Sequence, residues 1–161
     1  MRSLATLEIE RIDWSSRRTV GGFAVAIPGA LKALLEARTA EDATKAYWKL
    51  ENHVVVQGQL FDAALAVVPV LLAALAEPSP GYVRVTCVEL LFQIVHGEAH
   101  TLEVVAGNAA LGAQCRDAAR EGLWLLYREL LSEQREGARE VIEVIERSPD
   151  RLEHYLREPI A

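Results

Sequence analysis

The chain matches itself at a spacing of 41 residues, and that repeat limits its possible fold more than any other feature. "PGALKALLEARTAEDATKAYWKLENHV", from Pro28, aligns with "PVLLAALAEPSPGYVRVTCVELLFQIV", from Pro69. Glu36 falls on Glu77, Ala46 on Cys87 and Leu50 on Leu91. Each unit reads as helix, loop, helix. A period of about 40 residues built from paired helices is the mark of a stacked α-solenoid, because one unit alone cannot bury its apolar face. A third unit follows less regularly. Its first helix contains "GLWLLYRELLSE" (Gly122–Glu133) and its second begins at "EGAREVIEVIE" (Glu136–Glu146), with Ala138-Arg139 where Val83-Arg84 stand in the second unit.

Local signals place the helices. Pro28 opens one through about Ala37, with Leu31, Leu34 and Leu35 on one face. Thr39 is the expected N-cap of the next, with Asp42 near its first-turn amides, and Ala43, Ala46, Tyr47, Leu50 and Val54 as its apolar face. Gln57-Gly58 makes a turn. A helix from about Leu60 to Ala76 contains Pro69, which bends it where neighbours can shield the disturbed backbone. "EPSPG" (Glu77–Gly81) is a loop, and Tyr82–Val95 is helical. Residues 97–112 give a weak signal, with a short helix in "HTLEVVAG" favoured over a strand. One long helix is expected over Ala113–Ser132, then Gly137–Arg147, then a short one from Asp150 to about Glu158.

Composition bounds the class. The chain has 161 residues, 51% of them hydrophobic and 25% charged, which suits one soluble globular domain. Aromatics are only 6% while Ala, Leu and Val abound, as packed helices require. The net charge of −6 argues against a nucleic-acid partner and favours a basic one. Arg17–Arg18 is too small to be a basic patch. The nearly uncharged run Ala63–Ala76 is too short to cross a membrane, and the N-terminus has no apolar signal region. Cys87 and Cys115 have neither metal nor disulfide-framework spacing, so buried thiols in a reducing cytoplasm are expected.

The stretch from Pro69 resembles the HEAT repeat pattern. It has Pro69, Leu71-Leu72, the loop acid and proline Glu77-Pro78, and the Val83-Arg84 pair that opens the second helix. In that family the loop acid is usually Asp, and acid and arginine tie neighbouring repeats together; Glu77 departs from the pattern. Further motifs resemble small bacterial HEAT-like proteins: Ile12-Asp13-Trp14, Pro28, His53 with Gln57-Gly58, Val68-Pro69 with Leu71-Leu72, and "GLWLLYREL" (Gly122–Leu130). Some such proteins resemble immunity proteins that neutralise polymorphic toxins. The resemblance implies an all-α, short HEAT/armadillo-like α-solenoid of about three helix pairs. Residues 1–27 form an N-terminal cap, 28–58, 59–97 and 98–148 the three repeats, and 149–161 a C-terminal cap.

The candidate binding residues follow from the second helices. Helix Tyr82–Val95 is apolar nearly all round, and Thr86, Glu89 and Gln93 mark a single polar line along it. The period maps them onto Lys45, Trp48 and Asn52. Trp48 lies about 100° round from Tyr47, where it serves either as an amphipathic anchor or as packing against the N-terminal segment. In the third unit the polar residues are Glu140, Glu143 and Arg147. With Glu51 and Glu89 they make an acidic groove suited to a basic toxin domain. His53 and Gln57 read as caps for the last carbonyls of their helix, and His96 and His100 as a polar loop pair rather than a metal site. No nucleophile motif or phosphate-binding loop occurs, so no catalytic residue, metal or cofactor is expected. The expected function is a non-enzymatic protein–protein interaction module, monomeric or weakly dimeric. The alternatives are a HEAT-like enzyme acting on nucleic acid, as DNA glycosylases do, and a self-associating structural subunit.

Overall fold

The computed structural model describes residues 1–158, in which ten α-helices carry most of the chain. They are α1 (Leu4–Arg11), α2 (Ile27–Leu35), α3 (Ala40–Val54), α4 (Ala63–Ala76) and α5 (Gly81–Val95). The others are α6 (Thr101–Val105), α7 (Leu111–Arg120), α8 (Leu123–Leu130), α9 (Arg135–Ile145) and α10 (Pro149–Leu156). Thr39 caps α3 as expected, its hydroxyl accepting the Asp42 amide at 3.1 Å. Five two-residue strands join them. β1 (Arg18–Thr19) pairs antiparallel with β2 (Gly22–Phe23). β3 (Val55–Val56) pairs antiparallel with β4 (Gln59–Leu60), and β4 lies parallel to β5 (Glu98–Ala99). The β3–β4 turn places Gln57 and Gly58 at φ 50° and 77°, so Gln57 serves the turn and not the helix cap.

Helices pack in pairs: α2 on α3, α4 on α5 and α8 on α9. α3, α5 and α9 stand side by side with α5 in the middle. The first helices behave differently. α4 is packed by α1, α5, α7 and α8, and the helix laid along it on the N-terminal side is α1, not α2. That setting explains the composition of α4: ten of its 14 residues are buried, because other helices approach from several directions. Pro69 is half-buried within the continuous helix, and its missing N–H leaves the Leu65 carbonyl without its usual intrahelical donor.

Two expectations change here. The long helix over Ala113–Ser132 is two helices, α7 and α8, broken at Glu121-Gly122. A Cβ at Gly122 would run into the Leu72 side chain of α4, so the glycine lets the chain turn against that helix. Residues 97–112 hold a short strand as well as the favoured helix, because Glu98 and Ala99 pair with β4 before α6 begins. The third unit thus carries α6 and α7 in addition to the pair α8–α9.

Two buried carboxylates fasten these parts. Glu129 of α8 is fully buried and receives both Nε, at 3.2 Å, and Nη2 of Arg84 from α5. Arg84 therefore joins the second unit to the third, but through Glu129; Glu77 instead accepts the Leu4 amide at 3.0 Å. Glu103 of α6 is 1% exposed and receives Arg18 at 2.9 and 2.7 Å, the Asp62 amide at 3.2 Å and Asn108 at 3.3 Å. Burial alone would raise the Glu103 carboxyl; these donors outweigh it and hold the group below the ordinary value. Other arginines satisfy helix C-terminal carbonyls. Arg116 donates to Val95 O at 3.3 Å, Arg128 to Leu75 O, Arg120 to Ile145 O at 2.7 Å and Arg135 to Leu156 O at 2.7 Å.

Candidate functional site

α5 exposes a narrow strip because α3, α4, α7 and α9 cover the rest of it. The strip runs through Val85, Glu89, Gln93 and His96, with Phe92 half-buried beside it. Thr86 was expected on this line and is not there. It is 8% exposed and its hydroxyl donates to the Tyr82 carbonyl at 2.7 Å, so its polarity is spent inside the helix. Val85 takes its place at the surface, 45% exposed. Gln93 donates to Glu89 at 3.3 Å.

On one side of this strip lies α3. Trp48 is 53% exposed, its ring edge-on to Tyr47 at 5.1 Å between centroids. Packing against the N-terminal segment does not cover it. Tyr47 is half-buried; burial, then the charges of Glu89 and Glu51, push its hydroxyl up to about 12. Glu51 is raised by its own burial. Lys45 and Asn52 are exposed, and Lys45 pairs with Glu41 at 3.1 Å.

On the other side lies α9. A groove of about 220 Å³ runs between α5 and α9, lined by Val85, Val88, Glu89, Glu133, Gln134, Glu136 and Gly137. Gly137 makes the close approach possible: a Cβ there would stand 3.1 Å from Val88 Cγ1. Glu140 is half-buried on α9, and Glu143 is exposed and held by Arg139 at 2.8 Å. The structure thus gathers Trp48, Glu89 and Gln93 about α5 with Tyr47 and Glu51. It adds Val85, Glu133 and Glu136, which the repeat register did not single out. Glu133 and Glu136 flank Gln134-Arg135 at the start of α9, and their nearness to α5 depends on the α8–α9 turn.

The histidines act locally. His53 Nδ1 donates to the Lys49 carbonyl at 2.6 Å, one turn back inside α3 and not to the last carbonyls it was expected to cap, and His96 Nδ1 donates to the Phe92 carbonyl at 2.8 Å. His100 Nδ1 accepts the Leu102 amide at 3.0 Å while its ring stacks on Phe61. Cys87 and Cys115 are buried free thiols, and burial pushes each up to about 12. No helix among the described residues is long and apolar enough to cross a membrane. No protein-family model, curated protein or solved structure matches this chain.

Proposed function

We propose that the protein is a non-enzymatic interaction module that binds a basic protein partner across the α3–α5–α9 face. The observation that carries this reading is that Glu51 and Glu89 act on Tyr47 beside exposed Trp48, while Glu89, Glu133 and Glu136 line the groove at exposed Val85. Apolar anchors beside carboxylates give both contact energy and steering. The side-by-side row of second helices supports reading the architecture as a short HEAT-like α-solenoid, in which that row forms the binding face. The resemblance to toxin-neutralising immunity proteins gives the partner its class: a basic toxin domain whose active site the module would occlude. A titration of the protein with the product of an adjacent gene tests this. Tight, salt-sensitive binding with loss of the partner's toxicity is expected. Absence of binding to every neighbouring gene product rejects the immunity role.

Self-association is a second reading with its own observation. A groove of about 700 Å³ lies between α1, α4 and α8, floored by Pro69, Leu72, Ala73 and Ala76. Sedimentation over a concentration series tests it, and a strict monomer rejects it.

A further inference from the structure

Leu65, Pro69, Leu72, Ala73 and Ala76 fall on one stripe of α4 at helical spacing, and two cavities follow that stripe. The cavities share Arg11 and Pro69, so they adjoin as one trough. The larger, about 700 Å³, is walled by Leu4 and Leu7 of α1 and Leu125 of α8. The smaller, about 320 Å³, is the polar end, with Asp13, Ser16 and Arg17 around it. Both volumes lie within the ~300–1,000 Å³ of small-molecule sites. Leu65 lines the polar end, and Pro69, four residues on, removes the N–H that its carbonyl would accept. The side chains around it are engaged elsewhere: Arg11 by Glu8 at 2.9 Å, Arg17 by Asp62 at 3.3 Å and Ser16 by the Asp13 carbonyl at 2.8 Å. The polar end thus offers an acceptor, while each of its two arginines already faces a carboxylate.

We propose that this trough binds a neutral single-chain amphiphile. Its hydrocarbon chain lies along the α1–α4–α8 groove, and an N–H or O–H of its head donates to the Leu65 carbonyl. Removing the chain and the lining leucines and alanines from water supplies the affinity. The head sets the direction, because a carbonyl without its helix donor is the acceptor that gains from a new one. From Pro69 to Ala76 the helix rises by about 10 Å, the span of an extended octyl chain. Glu8 and Glu121 beside the chain and Asp13 beside the head disfavour a carboxylate or phosphate head. The trough shares no residue with the exposed α3–α5–α9 strip, so the inference stands or falls apart from the partner reading.

The test uses the intact ¹⁵N-labelled protein, titrated with octanamide and followed by amide chemical shifts. Saturable shifts are expected at Leu7, Ala73 and Gly122 for the chain and at Ala66 for the head. N,N-dimethyloctanamide keeps the chain and the carbonyl but has no N–H, and is expected to bind about fivefold more weakly, the size of one hydrogen bond. Octanoate also binds more weakly than octanamide. Pro69→Ala restores the amide that the Leu65 carbonyl accepts, and the two amides then bind alike. Ala76→Trp, at an exposed position, fills the groove and abolishes binding while the amide spectrum elsewhere stays native. Equal affinity of the two amides for the unaltered protein, a preference that survives Pro69→Ala, or tighter binding of octanoate overturns the proposal. So do shifts that ignore Ala76→Trp, no localised shift at all, or sedimentation showing that a second copy already covers the groove.

Discussion

The two rows of helices in this molecule solve different problems. The second helices, α3, α5 and α9, lie side by side and keep a narrow surface strip that is acidic and half apolar. The first-helix side is irregular. α1 takes the place along α4 that repetition would give to α2, and α7 joins α8 on the far side. Its open groove is floored by apolar α4 residues, and its rim acid Glu8 is already engaged by Arg11 at 2.9 Å. That pairing outweighs burial, which alone would raise the group, and leaves the Glu8 carboxyl below its ordinary value. One groove is lined by three carboxylates, whereas the other is lined mainly by apolar residues. A repeat pattern constrains the row that faces its own copies and leaves freedom where terminal segments intrude.

The sharpest way to break this comparison is to cut the tie between the rows. Arg84→Ala leaves buried Glu129 with only the longer Arg128 contact at 3.9 Å, and is expected to cost about 3 kcal/mol in urea unfolding. The double variant Arg84→Met/Glu129→Leu recovers much of that loss, because no buried charge is then stranded. A loss in the double as large as in the single would mean that the pair is not what holds α5 to α8.

A smaller effect separates the rows by packing. Gly122→Ala forces the whole Leu72 side chain to move and is expected to destabilise by roughly 1–3 kcal/mol. Gly137→Ala meets one methyl at 3.1 Å and gains helix propensity, so its cost stays below about 1 kcal/mol. Equal melting temperatures for the two variants would remove the distinction.

Acid should loosen the periphery before the α3–α5–α9 row. For both Glu103 and Glu146 burial alone would raise the carboxyl, but donors outweigh it. Those of Glu146 are Tyr127, the Ser148 amide and Arg151. Their folded values lie below the unfolded carboxylate value of about 4.3, so the stabilisation is full above that pH and is lost as pH falls through the folded values. Amide exchange compared at pH 6 and about pH 3 should show faster opening of the β1–β2 hairpin and α10, with α5 protected.

Much of the architecture was legible in the sequence because helix signals are local. Thr39, Pro28 and the periodic leucines act within a few residues of themselves, and the 41-residue period follows from those local patterns. The break at Gly122 was not legible, since its cause is Leu72, some fifty residues earlier. The same limit applies to the site. Trp48 and Glu89 follow from helix periodicity, while Thr86 was misplaced because one step of about 100° decides between Val85 and Thr86 at the surface. Glu133 and Glu136 join Glu89 only through a turn. Where the nearby arginines go is also non-local: Arg84 serves a buried glutamate and Arg135 the Leu130 and Leu156 carbonyls, destinations that adjacency in sequence does not show.

The central claim is that the α3–α5–α9 face, not the α1–α4–α8 groove, receives the partner. Glu89→Lys and Glu121→Lys change the net charge equally and differ only in which groove they line. In a titration with the adjacent-gene partner, Glu89→Lys is predicted to weaken binding at least about tenfold while Glu121→Lys leaves it within about twofold. Equal weakening by both, or a larger effect from Glu121→Lys, would contradict the account.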